Sequence, residues 1–143
     1  MKKLIAAMVL LFGVTCYAQN AQEGAPKLDI PKGMKQYFIG FLVRGAKYKR
    51  DISEEEHQKL LQQHLAYIRS EAEAGKYKLA GPFLDEGNIA GILVIDVPTA
   101  EQAKQIVNGD PMVQAGRLAM EIHPAMMADL SCVLVEYDKK SGK

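Results

Sequence analysis

Two runs decide the fold class: QYFIGFLV at residues 36–43 and SEEEHQKLLQQHLAYIRSEAEAG at residues 53–75. The first is apolar and aromatic throughout and reads as a buried strand. The second opens on Ser53 with Glu56 three residues later, the reciprocal capping pattern that starts a helix. At 3.6 residues per turn it places Leu61, Leu65, Ile68 and Ala72 on one face, and Gly75 supplies a left-handed stop. Beyond this strand and helix, residues 76–84 read as a second strand interrupted by Gly81-Pro82, which marks an edge, a bulge or a strand end. Asp85-Glu86-Gly87-Asn88 is turn chemistry, so the next strand returns as a hairpin. Residues 89–97 form a nearly continuous apolar run, the pattern of a central strand. Thr99 and Gln102 repeat the capping pattern, and the helix at 100–108 turns Ala103, Ile106 and Val107 inward before Gly109. Asp110-Pro111 starts a further short turn of helix, with Asp as N-cap and Pro at the first helical position, and Gly116 stops it. From Arg117 to His123 the chain alternates, with Leu118, Met120 and Ile122 on one face and Arg117, Ala119, Glu121 and His123 on the other. The run Ser131-Cys132-Val133-Leu134-Val135 reads as strand and residues 133–137 as a last strand; Cys132 is a small buried hydrophobe there, with a reactive thiol the alternative.

The order is βαββαβ with one extra C-terminal strand, an α+β fold of ferredoxin-like pattern. Helices cover one face of such a sheet. The other face needs cover too, and in so short a chain a second copy is the economical one, so a homodimer is expected.

The 143 residues leave room for one domain, placed at 35–138, with a polar tail at 139–143. Lys2 and Lys3, then the apolar run Leu4 to Val14, then Cys16-Tyr17-Ala18 match a secretory signal peptide over residues 1–18. The apolar core is shorter than the roughly twenty residues a membrane span needs. Residues 19–34, rich in Gln, Ala, Pro and Gly, read as a linker. The expected location is therefore exported, periplasmic or extracellular, with no membrane attachment after cleavage. Lipid anchoring through Cys16 is the alternative, but Gly13-Val14-Thr15 resembles a lipobox poorly. Cleavage leaves Cys132 alone, so no internal disulfide forms.

Eighteen basic residues against seventeen acidic ones give no positive face, which argues against a nucleic-acid partner. Of the three histidines, His57 and His64 lie seven residues apart on the first helix, about 10.5 Å of rise, too far to chelate one metal directly. No metal motif, phosphate loop or cofactor signature is present, so no metal and no cofactor are expected.

His64 is a polar residue on a core-facing stripe: a seam histidine, or a proton carrier. Asp110 is a helix cap, or a capping residue with a second task. Together they match the pairing that holds an imidazole in one tautomer for proton transfer near neutral pH. Among secondary candidates, Gly81 and Pro82 are read as shaping a pocket wall. Arg117 pairs with Glu121 on its strand face or holds an anionic ligand, the pair being preferred. His123, before Pro124, reads as an orienting or surface residue.

Glu56-His57, Gln63-His64-Leu65, Ala80-Gly81-Pro82-Phe83 with Asp85-Glu86-Gly87, the strand Gly91-Ile92-Leu93-Val94, the run DPMVQAGR at 110–117 and Ile122-His123-Pro124 together resemble the YCII-related (YciI-like) domain family. The resemblance spans Tyr37 to Met126. It implies a dimeric, ferredoxin-like fold of the α–β barrel type and a His–Asp active site falling on His64 and Asp110. A dehydrochlorinase-type lyase is among the activities it brings. The chain departs from the family in carrying a leader and linker, which argues against an intracellular metabolic substrate. The expected function is a cofactor-independent small-molecule enzyme, lyase or isomerase-like, using His64 and Asp110 for proton abstraction. The alternative is a non-catalytic periplasmic binding or dimerisation module.

Overall fold

The computed structural model describes residues 29–48 and 51–133. The leader, most of the linker, residues 134–137 of the last predicted strand and the tail lie outside the described residues. The elements run β1 (Met34–Arg44), α1 (Glu54–Glu73), β2 (Tyr77–Pro82), β3 (Ile89–Ile95), α2 (Ala100–Asn108), α3 (Pro111–Gln114) and β4 (Leu118–Ala128). The four strands form one antiparallel sheet in the order β2-β3-β1-β4. Both helical crossovers skip one strand, which is the ferredoxin-like α+β arrangement.

Alternation along β1 sorts its side chains. Phe38, Gly40 and Leu42 point into the core with Leu93 and Ile95 of β3, while Ile39 and Phe41 lie on the opposite face beside Val94 and Ile92. The core face is closed by Ile68 from α1, Ala103 and Val107 from α2, and Met112 from α3. A Cβ on Gly40 would stand 2.8 Å from the Met120 sulfur, so a side chain there would make Met120 shift.

Helix α1 begins as its sequence predicts. Ser53 Oγ accepts from the Glu56 N–H at 3.2 Å, and Glu56 Oε2 accepts from the Ser53 N–H at 2.9 Å. Gly75 follows its end at φ +75°. The inner stripe differs from the predicted one. Burial follows 57, 60, 61, 64, 67, 68, 69, 71 and 72, whereas Leu65 is 44% exposed. The stripe thus includes two histidines, a tyrosine and a glutamate, and a polarity-based reading slides it toward Leu65.

Three further expectations are corrected. The last helix-following strand does not stop at His123, where the predicted alternation ends, but continues through Pro124 to Ala128 and gives Met34, Lys35 and Gln36 partners. β4 is an edge strand, where a missing N–H is tolerated. Ser131 and Cys132 lie in a turn rather than a strand: Asp129 Oδ1 accepts from the Ser131 N–H, and Tyr37 Oη accepts from the Leu130 N–H at 2.8 Å. Cys132 is therefore exposed, not buried, and Val133 is 41% exposed outside any strand. Finally, Arg117 precedes β4 and its salt bridge among the described residues is to Asp51, not to Glu121, which is exposed on the strand.

Candidate active site

His64 sits in the middle of the inner stripe of α1 and is 8% exposed. Asp110, 3% exposed, stands where the chain leaves α2 and enters α3. Its Oδ1 accepts from the Met112 N–H at 2.8 Å, and Pro111 supplies the first helical position, whose N–H needs no partner. The other end of α3 is closed by Gly116 at φ +69°, with Gly116 N–H donating to Val113 C=O and Arg117 N–H to Met112 C=O, a Schellman closure. Every residue of the run from Asp110 to Gly116 thus helps to hold one short helix rigid or to seat it on the core. That rigidity fixes the carboxylate.

The second carboxylate oxygen, Oδ2, lies 2.7 Å from His64 Nδ1. A carboxylate only accepts, so the imidazole proton belongs on Nδ1 and donates to Asp110. With the proton on Nδ1, the lone pair of the neutral ring lies on Nε2, for which no hydrogen bond is found among the described residues. The arrangement can accept a proton at Nε2 and stabilise the resulting imidazolium across a 2.7 Å charge-assisted bond.

Two tyrosines stand behind this pair. Tyr67, one turn after His64, donates to the Ile106 C=O at 2.6 Å. Burial, then the nearby charges of Glu71 and Asp110, push its phenol up to about 12. Tyr77 on β2 is 3% exposed, and its hydroxyl is sealed without a hydrogen-bond partner among the described residues. Burial first, then Tyr67, Asp110 and Glu71, raise it strongly. Both shifts favour the protonated phenol in the folded state. The stability they contribute is complete below the unfolded value near 10 and is lost as pH rises through the folded value, about 12 for Tyr67. Thermal melts followed by circular dichroism from pH 8 to pH 12 are expected to show falling Tm above about pH 10, with a shallower fall in Tyr77→Phe.

Arg117 belongs to a neighbouring site. It is 4% exposed, bonds the Lys47 C=O and pairs with Asp51 at 3.0 Å. Gly45 allows this approach, since a Cβ there would stand 2.4 Å from the Gly116 carbonyl oxygen. Beside Arg117 opens a cavity of about 480 Å³ whose walls include Lys47, Lys59, Leu60 and Gln63. Leu60 is one turn before His64, but His64 and Asp110 do not line this cavity.

The structure therefore brings His64 and Asp110 together and sets Arg117 apart. Gly81 lies opposite Ile92, on the sheet face turned away from the helices, and Pro82 is exposed at the end of the edge strand; neither is brought to the dyad. His123 is exposed and meets Phe41 edge-to-face, ring centroids 6.0 Å apart. His57 lies half-buried two turns before His64. Sequence reasoning missed Tyr67 and Tyr77. Tyr67's place three residues after His64 was the available signal for the first; nothing local marked the second.

Residues 41–124 match the YCII-related domain, more than half of the chain. The chain belongs to the YCII-related domain family. The matched span of this YCII-related protein runs from Phe41 in β1 to Pro124 in β4 and contains the whole dyad. Comparison with curated proteins returned no match. Among solved structures the chain is similar to 5-chloro-2-hydroxyhydroquinone dehydrochlorinase from Burkholderia phenoliruptrix AC1100, determined with 2,5-dihydroxybenzoquinone. The two are 18% identical at a TM-score of 0.45, over 62% of this chain and 91% of that one.

Proposed function

We propose that this YCII-related protein is a cofactor-independent enzyme acting on a small organic molecule, with His64 as the proton carrier and Asp110 as its orienting partner. The observation that carries the reading is the 2.7 Å bond from His64 Nδ1 to a carboxylate whose other oxygen is tied to a helix end.

The step is a carbon-acid deprotonation. Nε2 takes a proton from carbon and forms an N–H bond. The released C–H electron pair becomes a C=C bond and expels a leaving group from the adjacent carbon with its own electron pair. In the isomerisation variant, the proton returns to a different carbon. The imidazolium formed faces Asp110, which lowers the cost of carrying the charge. Elimination leaves His64 to shed its proton to solvent before the next turnover.

Export and assembly complete the proposal. Residues 1–18 act as a signal peptide, so the substrate is met in the periplasm or outside the cell; Cys16 as a lipid anchor is the alternative. A second copy covers the sheet face bearing Ile39, Phe41 and Ile92, which the helices leave open, with Leu79 on it 44% exposed.

The test uses the full chain in D₂O with a panel of carbonyl-activated and β-halogenated small molecules. Deuterium incorporation or halide release is followed by NMR. Turnover that His64→Gln lowers by about 10²- to 10⁴-fold, the ordinary contribution of a positioned acid or base, is the expected result. Saturable binding with no exchange and no product would instead make the protein a binding module, and turnover untouched by His64→Gln would remove His64 from the reaction.

A further inference from the structure

Asp110 is held by its own short helix and His64 by α1. Their 2.7 Å contact therefore depends on how far α1 stands from the corner where α2 passes into α3. The last turn of α2 and the corner are joined to α1 at Tyr67. Its hydroxyl donates to the Ile106 C=O at 2.6 Å, a carbonyl that also receives the Gly109 N–H at 2.9 Å. Its ring end lies directly against Gly109. A Cβ at residue 109 would stand 2.3 Å from the Tyr67 hydroxyl oxygen and 3.0 Å from Cζ.

Gly109 has φ −77°, in the ordinary right-handed region. Its backbone conformation therefore does not call for glycine. What calls for glycine is the close approach of Tyr67. Gly109 is the residue immediately before Asp110, and Tyr67 is on the same stripe as His64, three residues on. The contact thus joins the two elements that carry the dyad, one residue from the carboxylate and one turn from the imidazole.

We propose that Tyr67 and Gly109 form a positioning pair that sets the His64–Asp110 separation, with Tyr67 as a positioning residue rather than a catalytic one. This inference rests on the dyad reading above. It extends that reading to two residues outside the Nδ1–Oδ2 hydrogen bond. A side chain at 109 pushes the corner away from α1 and lengthens the Nδ1–Oδ2 bond. Removing the hydroxyl gives back most of that space, because the hydroxyl oxygen is the atom at 2.3 Å.

The test reads solvent exchange of the His64 Nδ1 proton by NMR in the full chain, with the Leu93 amide as the internal measure of core stability. Gly109→Ala is expected to speed Nδ1–H exchange roughly tenfold or more with Leu93 exchange little changed. Adding Tyr67→Phe to Gly109→Ala is expected to recover part of that loss, a coupling that independent sites do not show. Parallel acceleration of both protons, or no recovery in the double variant, would overturn the positioning role and leave a packing contact. Should Gly109→Ala fail to fold, Tyr67→Phe alone decides. Selective loosening of Nδ1–H supports the inference, and unchanged exchange overturns it. Failure of the dyad reading looks different: no protected Nδ1 proton in the unsubstituted chain.

Discussion

Asp110→Asn is expected to lower proton-transfer turnover by about 10²- to 10⁴-fold while leaving the protein folded. The reason lies in how Asp110 divides its two oxygens. Oδ1 accepts from the Met112 N–H at 2.8 Å and Oδ2 faces His64 Nδ1 at 2.7 Å. An asparagine has one oxygen and one NH₂, and the fixed Met112 donor claims the oxygen. The NH₂ then faces His64, so Nδ1 must accept and the imidazole proton moves to Nε2. The base is lost because its tautomer is wrong, with every heavy atom near its original place. Stability changes little by comparison, since Asn caps a helix about as well as Asp. Replacing a charge-assisted bond by a neutral one costs about 1 kcal/mol, or about 4–8 °C in Tm for a domain of this size. Deuterium exchange and thermal melts on the same preparation check both halves. Asp110→Ala is the contrast: it loses the cap as well and strands the Met112 N–H and His64 Nδ1 in a buried setting.

Leu93→Ala is expected to do the opposite, destabilising by about 2–5 kcal/mol with the dyad intact. Leu93 is 1% exposed on a central strand, packed in the core between the sheet and the helices. Its neighbour across the ladder is Gly40, which has no side chain, and the flexible Met120 side chain packs beside them. Met120 can take up part of the vacated volume, which places the cost within that range rather than at its top. Leu84, 97% exposed at the β2–β3 turn, serves as the control, and Leu84→Ala should stay within about 0.5 kcal/mol. Urea titrations with unchanged slope and a lowered midpoint in Leu93→Ala alone are the expected outcome.

The two variants separate what the sequence made legible from what it hid. Strand and helix order could be read because each element carries its own local signal: the apolar run of β1, the Ser53–Glu56 box, the turn at 85–88 and the Asp110-Pro111 start all act over a few residues. Asp110 was visible as a cap for the same reason. Its pairing with His64 spans 46 residues and depends on the sheet bringing α1 and α3 together, so spacing suggested the partners but not the distance. Leu65 was misplaced because hydrophobicity was taken as the guide to burial on a helix whose inner stripe carries His64, Tyr67 and Glu71. Arg117 was misassigned because its partner, Asp51, lies on a loop 66 residues upstream with no periodicity to follow. Gly109 looked like a helix stop. Its actual requirement, room for the Tyr67 hydroxyl, is a tertiary contact with no local trace.

In the proposed dyad Asp110 holds His64 with its proton on Nδ1 and its base on Nε2. An imidazole ¹⁵N NMR spectrum of the full chain near neutral pH reads this directly. The expected signals of the neutral ring are those of a protonated Nδ1 and an unprotonated Nε2. A neutral His64 with its proton on Nε2, the tautomer an unconstrained imidazole prefers, would contradict it and return both residues to a seam histidine and a helix cap.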